Sequence, residues 1–293
     1  MHKILVEMSK KQIKERNSQE IPKFIIILVK FFAFLSPKFA TWFAAKLFTT
    51  PIKYKIPKRE FVMDKNSIQK TVLVNAINKE IVVYEYGNSP KKVLLVHGWS
   101  GRGTQLVKIA DELLLNGYMT ISFDAPAHGK SKGNSSIMTE FIASILELEK
   151  QYGPFEFAIG HSLGGMAVLN AIKQNLKIKK AVIIGSGDII QDIIDDFIKK
   201  LTLHPKYGNL LKTYFEQKFT GNMNDFSAYI AAQKVEIPVL IIHDENDEDV
   251  PVKAAYNIHK HLKGSELMIT EGLGHRKILG NENVIQKIME FLK

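Results

Sequence analysis

One short stretch, residues 155–174, constrains the fold of this 293-residue chain more than any other. Residues 155–159 are an apolar run of the buried-strand type, and residues 165–174 carry apolar side chains at helical spacing. Between them, Gly160-His161-Ser162-Leu163-Gly164 forms a GxSxG turn, in which the glycines let strand and helix approach closely. The sequence therefore predicts a sharp strand-to-helix turn that presents Ser162 at a helix N-terminus, where free amide groups favour negative charge.

Strands and helices are expected to alternate along the rest of the chain. Apolar runs predict strands at residues 93–96, 118–123, 180–184, 238–243 and 266–270, with amphipathic helices at 106–115, 138–152, 254–262 and 283–292. Residues 69–76 and 80–86 alternate apolar with polar side chains, which predicts an antiparallel hairpin at the edge of the sheet. Alternating strands and helices predict a mainly parallel sheet with helices on both faces, and ligands at the carboxyl ends of its strands.

Composition and charge exclude several classes of site. The chain has no cysteine, so disulfides, thiolate catalysis and cysteine-zinc sites are excluded, and a reducing compartment is permitted. We expect a cytoplasmic location. The net charge of +10 is concentrated in residues 1–60, which hold 13 Lys and Arg against 4 Asp and Glu, whereas the remainder holds 27 against 26. Because the body is nearly neutral, no nucleic-acid partner is expected.

The N-terminal segment contains two apolar runs, residues 21–35 and 39–48, separated by Ser36-Pro37-Lys38. Neither run reaches the roughly 20 residues that a membrane-spanning helix needs. No small-residue cleavage site closes the first run, so a signal peptide is not expected. Two interpretations remain open. The two helices pack on the body or over its active site, or residues 21–48 make a peripheral contact with the inner face of a membrane, where basic charge is attracted to anionic lipid.

The candidate catalytic residues follow from what a serine needs in order to react. A serine hydroxyl becomes a nucleophile when a histidine takes its proton, and a carboxylate fixes the tautomer of that histidine. In an open α/β sheet, the acid and then the histidine are expected downstream of the serine. Residues 243–251 (HDENDEDVP) and 272–275 (GLGH) each follow a predicted strand. We assign Ser162 as nucleophile, Asp247 as acid and His275 as general base.

Several acidic residues compete for the role of the acid. Asp244 lies too near the strand end, and Asp249 is expected to cap the following helix. Asp188, after the preceding strand, is the alternative to Asp247. The acidic cluster does not fit a calcium loop, because Asp249 and Ala255 occupy the positions that require glycine and glutamate. No metal ion or cofactor is expected.

Two backbone amides are candidates for binding the oxyanion of an acyl-transfer intermediate. The N–H of Leu163 directly follows the nucleophile. The N–H of Trp99 lies in the loop after the strand at residues 93–96, where Gly98, Gly101 and Gly103 allow tight packing.

Together these motifs resemble the α/β-hydrolase superfamily, specifically its bacterial serine esterase and lipase-like members. The resemblance spans about residues 67–293 and is carried by residues 97–99 (HGW), 124–131 (DAPAHGKS), 160–165 (GHSLGG), 247–251 (DEDVP) and 272–275 (GLGH). It implies an eight-stranded sheet with an antiparallel second strand and a helical cap inserted after the sixth strand. The expected division is an N-terminal extension (1–60), a first part of the core (61–187), the cap (188–234) and a second part of the core (235–293).

The resemblance also sets the expected activity. Its members include esterases, lipases, peptidases, thioesterases, acyltransferases and cofactor-free oxygenases, so the fold alone does not name the substrate. We expect a serine hydrolase that cleaves a small carboxylic ester, with an apolar acyl or aromatic group, through an acyl-serine intermediate. The alternatives are an acyltransferase or thioesterase that uses the same three residues, and a catalytically silent binding protein.

Overall fold

The computed structural model describes residues 21–219 and 221–293, and its centre is one eight-stranded sheet in the order β1-β2-β4-β3-β5-β6-β7-β8. Strand β2 is antiparallel to both of its neighbours, and all other neighbouring pairs are parallel. This confirms the predicted mainly parallel sheet with an antiparallel second strand. The strands are β1 Ile68–Val74, β2 Lys79–Tyr86, β3 Lys92–Val96, β4 Met119–Asp124, β5 Phe157–His161, β6 Lys180–Ile184, β7 Val239–Asp244 and β8 Ser265–Thr270.

Helices cover both faces of the sheet. They are α1 Lys23–Leu35, α2 Pro37–Phe48, α3 Phe61–Asn66, α4 Val107–Leu115, α5 Met138–Tyr152, α6 Leu163–Lys173, α7 Ile190–Lys200, α8 Lys206–Phe219, α9 Ala228–Ala232, α10 Lys253–His261, α11 Gly274–Lys277 and α12 Glu282–Leu292. Successive side chains of β3 point to opposite faces, as the pleat requires. Leu94 and Val96 join a core with α5 and α6, whereas Val93 and Leu95 join a second core with α4 and α12.

Helices α7, α8 and α9 lie between β6 and β7, where the sequence predicts a cap. The N-terminal helices pack on this insert, since α2 contacts α8 and the ring of Phe48 lies 5.1 Å from that of Phe197 and 5.7 Å from that of Phe215. Phe197 and Phe215 of the insert therefore hold α2 by packing against Phe48. The division of the chain into four units stays a prediction.

The segment between α2 and β1 is tied to the loop after β3. The backbone N–H of Ile52 donates to Ser100 Oγ at 3.0 Å. The buried carboxylate of Glu60 accepts hydrogen bonds from Arg102 Nη1 at 2.9 Å and Thr104 Oγ1 at 2.7 Å. No helix in the described part of the chain is long and apolar enough to cross a membrane.

Candidate active site

Ser162 occupies a strained turn between β5 and α6. Its φ of 54° and ψ of −121° are unusual for a residue with a side chain, and its N–H is held by the Ile184 carbonyl at 2.8 Å. A Cβ on Gly160 would lie 2.5 Å from the Gly164 carbonyl oxygen, and one on Gly164 would overlap the Val96 carbonyl oxygen. The two glycines of the motif are thus required because backbone approaches backbone at this turn. The turn places Ser162 directly after the end of β5.

Asp247 and His275 form a direct pair. His275 Nδ1 lies 2.7 Å from Asp247 Oδ2. The other carboxylate oxygen, Oδ1, accepts the backbone N–H groups of Asp249 and Val250 at 2.9 and 2.8 Å. Because a carboxylate only accepts, this contact places the proton of the neutral imidazole on Nδ1 and leaves Nε2 as the basic nitrogen. Among the described residues, Nε2 of His275 has no hydrogen-bond partner.

The loops at the carboxyl ends of β3, β4, β5, β6, β7 and β8, here called the rim, bring the remaining residues together. His161 Nε2 donates to the His275 carbonyl at 2.9 Å, and the two imidazole rings lie 4.6 Å apart. A Cβ on Gly185, after β6, would lie 3.2 Å from His275 Nδ1 and 3.4 Å from Asp247 Oδ2. The Ser162 hydroxyl makes no hydrogen bond to His275 in the described structure. The residue next to Ser162, His161, is the one that joins this turn to the backbone of His275.

The loop after β3 lies directly against Ser162. A Cβ on Gly98 would lie 3.0 Å from both Ser162 Cβ and His161 Nδ1, so a larger residue here would push against the nucleophile turn. Trp99 follows Gly98, and its ring packs edge-on against His128 at 5.0 Å. Leu163 is the first residue of α6, where helical amides lack partners within the helix. Neither the Trp99 nor the Leu163 N–H has an acceptor within the described residues, so both are available as donors.

Three buried histidines, His97, His128 and His161, hold the rim in shape. His97 Nε2 accepts the N–H of Ala125 at 3.0 Å, and its Nδ1 donates to the Gly98 carbonyl at 2.7 Å. Burial lowers the pKa of His97 and of His161 well below the ordinary value of 6.5. Burial also lowers the pKa of His128 to about 4. All three are therefore neutral near pH 7 and act as fixed hydrogen-bonding groups.

Asp244 has a role that the sequence argument missed. Its carboxylate accepts hydrogen bonds from Thr270 Oγ1 at 2.7 Å, from the Leu273 N–H at 3.0 Å and from the Asn246 N–H at 3.0 Å. Burial by itself raises the pKa of Asp244, but these bonds and one from the Gly274 backbone together hold that pKa below its ordinary value. Asp244 therefore joins the loop that carries the acid to the loop that carries His275.

The other two acids take different partners. The expectation that Asp249 caps the helix after its loop is wrong, because α10 begins at Lys253 without a side-chain cap. Asp249 instead faces Arg276 at 3.6 Å, a pair in which Arg276 is exposed. The alternative acid, Asp188, accepts a hydrogen bond from Asn257 Nδ2 at 2.7 Å. In the part of the chain described, no three His, Asp or Glu side chains are grouped to hold a metal ion.

Comparison with known proteins decides the family. A family model described as alpha/beta hydrolase fold matches residues 91–219, and a model described as TAP-like protein matches residues 224–293. The chain belongs to the α/β-hydrolase superfamily. No curated protein matches the sequence significantly. These findings confirm the predicted resemblance at the level of the superfamily.

Solved structures of two esterases and of a phospholipase share this fold. An esterase from Pyrococcus furiosus matches with a TM-score of 0.65 at 19% identity, over 83% of this chain and 97% of that chain. An esterase from Exiguobacterium antarcticum matches with a TM-score of 0.59 at 20% identity, over 77% and 99%. A protein described as a membrane phospholipase A, a novel bacterial virulence factor, matches with a TM-score of 0.61 at 15% identity, over 100% and 98%.

Proposed function

We propose that this α/β hydrolase is a serine hydrolase that cleaves carboxylic esters through an acyl-serine intermediate. The observation that supports it most is the 2.7 Å contact between His275 and the buried Asp247, on the same rim as the strained Ser162 turn. This combination matches what a serine nucleophile needs: a position at a helix N-terminus, a base whose tautomer is held, and amides that have no hydrogen-bond acceptor in the described structure.

In the first half of the reaction, Ser162 Oγ attacks the ester carbonyl carbon while its proton passes to His275 Nε2. The N–H groups of Leu163 and Trp99 bind the oxyanion that forms. The intermediate collapses as His275 returns the proton to the leaving alkoxide, which departs as an alcohol. The acyl group then remains on Ser162, and the Asp247 carboxylate has stabilised the transient imidazolium.

In the second half, a water molecule attacks the acyl-Ser162 carbonyl and gives a proton to His275 Nε2. The same two amides bind the second oxyanion. Collapse of this intermediate breaks the bond to Ser162 Oγ, which takes the proton back from His275. The carboxylic acid leaves, and the enzyme returns to its starting state.

The substrate proposed is an ester with an apolar acyl or aromatic group. Support comes from the structural neighbours described as esterases and from the neighbour described as a membrane phospholipase A, whose match extends over the whole chain. The last of these brings lipid esters within the proposed substrate class. A cytoplasmic location at the inner face of the membrane, with residues 21–48 as the contact, belongs to the same proposal.

Acyl transfer is the second candidate, since the same acyl-serine can pass its group to an alcohol or amine. Product analysis separates the two activities. With a p-nitrophenyl ester as donor, a hydrolase releases mainly free acid even when an acceptor alcohol is added, whereas an acyltransferase forms mainly the new ester. Thioester and amide analogues of the same acyl group show which bond is cleaved fastest.

Covalent labelling tests the central assignment. A fluorophosphonate probe is expected to label the wild-type protein and to leave Ser162→Ala unlabelled, with ester hydrolysis reduced at least about 10⁴-fold. Ser186→Ala is the matched control, because Ser186 Oγ lies 3.3 Å from the Ser162 carbonyl oxygen yet has no assigned role. Persistent labelling of folded Ser162→Ala would refute the assignment. A folded wild type that neither reacts with the probe nor hydrolyses esters would refute the proposed activity and favour the alternative of a binding protein.

A further inference from the structure

Helices α1 and α2, here called the hairpin, have an inner and an outer apolar face. The inner face includes the buried Val29, Ala40, Ala44 and Ala45, which belong to the same core as α5 and α6. The outer face consists of exposed side chains, with Phe34 87% exposed and Ile27 69% exposed. Its members are Phe24, Ile27, Leu28, Phe31, Phe34 and Leu35 from α1, with Phe39 and Trp42 from α2.

The outer face is not a by-product of packing. Its α1 members follow the spacing i, i+3, i+4, i+7, i+10 and i+11 from Phe24, which places them on one side of the helix. A helix on a protein surface needs one apolar side, whereas α1 has two. Eight of the eighteen exposed large apolar side chains in the described residues belong to the hairpin. A concentration of this kind marks an interaction surface.

Charge around the outer face indicates an anionic partner. Residues 21–59 hold eight Lys and Arg and no Asp or Glu. Lys23 and Lys30 are exposed at one edge of the α1 outer face, and Lys38 and Lys46 are exposed on α2. Two copies of the chain that met through this face would bring like charges together. A surface that combines an apolar layer with negative charge, as a bilayer of anionic lipids does, complements both properties.

We propose that the outer face of the hairpin docks on the surface of an anionic bilayer, with α1 lying in the plane of the interface. Helix α1 has 13 residues, about 20 Å at 1.5 Å per residue, so it is shorter than the roughly 30 Å hydrocarbon core. Its aromatic side chains enter the boundary between headgroups and acyl chains, and the lysines bind headgroup phosphates. The inference extends the membrane contact of the proposed function without depending on catalysis.

Docking also places a groove next to the lipid headgroups. Trp42 and Lys46 line this groove of about 730 Å³, with Ala127, Tyr214 and Lys218 among the residues on its other sides. The Lys46 ammonium lies 5.7 Å from the Trp42 ring centroid, so a cation and an aromatic ring are presented together at the edge of the outer face. Trp42 belongs to both the outer face and the groove lining, so the groove adjoins the docking surface at this residue.

Flotation of the full-length protein with vesicles tests the proposal. Wild type is expected to float with phosphatidylcholine vesicles that contain phosphatidylglycerol, and to bind less as salt is raised. Phe31→Glu combined with Phe34→Glu is expected to lower the partition coefficient at least about tenfold. Leu115→Glu is the matched control, because Leu115 is 81% exposed on α4, outside the hairpin. Equal loss in the control, or no flotation of wild type, would overturn the proposal.

A second variant separates charge from apolar contact. Lys23→Gln combined with Lys30→Gln is expected to reduce binding to the anionic vesicles roughly tenfold while leaving the weaker binding to pure phosphatidylcholine unchanged. Light scattering without lipid gives the mass of each variant. A dimeric wild type that becomes monomeric with the two glutamates, and that binds neither kind of vesicle, would assign the face to a second copy and refute docking. Hydrolysis of a short soluble ester, measured in parallel, reports the proposed function separately.

Discussion

The rim and the hairpin are ordered by opposite kinds of interaction. At the rim, buried polar groups are held by specific hydrogen bonds, as when Asp124 accepts the N–H groups of Gly103 and Lys130 at 2.7 and 2.6 Å and the Tyr84 hydroxyl at 2.9 Å. In the hairpin, rings and methyl groups pack without such bonds, as between Phe32 and Phe43 at 5.1 Å. The rim thus specifies positions of single atoms, and the hairpin specifies a surface.

This contrast explains how each region responds to change. Hydrogen bonds inside a protein are directional, and an unpaired buried partner is costly, so one altered atom at the rim affects function strongly. Packing between apolar faces is nondirectional and spreads over many weak contacts. Substitutions in the hairpin should therefore change stability or surface binding in proportion to buried area, while leaving the chemistry intact.

The largest effect is expected from Asp247→Asn. The amide no longer stabilises the imidazolium of His275 or fixes its tautomer, so kcat/KM for a p-nitrophenyl ester should fall by about 10⁴-fold with the fold retained. Asp249→Asn makes the same charge change two residues away, where the partner is Arg276, and should alter kcat/KM by less than about threefold. Similar losses in both variants would show that loop charge matters rather than the contact with His275.

A smaller effect is expected from acid on His128. Its pKa is lowered from 6.5 to about 4 in the folded state, so the unfolded chain takes up the proton first as pH falls. The contribution of neutral His128 to the free energy of unfolding is therefore complete above pH 6.5 and is lost as pH falls from about 6.5 to 4. At pH 5 the loss relative to neutral pH is about 2 kcal/mol. Urea unfolding should show that the free energy of unfolding of the wild type falls between pH 7.5 and pH 5. In His128→Gln this fall should be smaller by about 2 kcal/mol. An equal drop in variant and wild type would contradict the prediction.

The smallest effect is expected on the free energy of unfolding when the packed and the exposed side chains of the hairpin are compared. Phe48→Ala removes a half-buried ring that packs on Phe197 and Phe215, and should lower the free energy of unfolding by about 1–3 kcal/mol. Phe31→Ala, on the outer face, should change it by less than about 0.5 kcal/mol. Both should retain kcat/KM on a soluble ester. A large loss of stability in Phe31→Ala would mean that the outer face is packed against protein in solution.

Much of the sheet could be predicted from local pattern. Residues 138–152 and 180–184 are α5 and β6 with the predicted bounds, because apolar spacing over one element reports the face it buries. The choice of Asp247 rested on its place after a strand, and its contact with His275 agrees with that choice. The roles of Asp244 and Asp249 could not be predicted, since each depends on a residue of the Thr270 to Arg276 region, over 25 positions along the chain.

The way in which the hairpin packs could not be predicted from local pattern. Its apolar runs were visible in the sequence, but both faces of α1 are apolar, so no periodicity could tell which side packs. The small side chains Ala40, Ala44 and Ala45 of α2 allow close packing against the body, and this leaves the larger rings of α1 outside. The distinction between a packed face and an exposed one is a property of the tertiary fold.

The buried ion pair at Glu60 has a consequence for any attempt to isolate the hydrolase body. A chain that started at residue 65 would leave the Arg102 guanidinium, 9% exposed, without its carboxylate and Thr104 without its acceptor. An uncompensated charge of this kind costs about 3–5 kcal/mol, against a typical total of about 5–15 kcal/mol. A fragment that keeps this ion pair must therefore begin before Glu60, so the segment between α2 and β1 is structurally part of the hydrolase body.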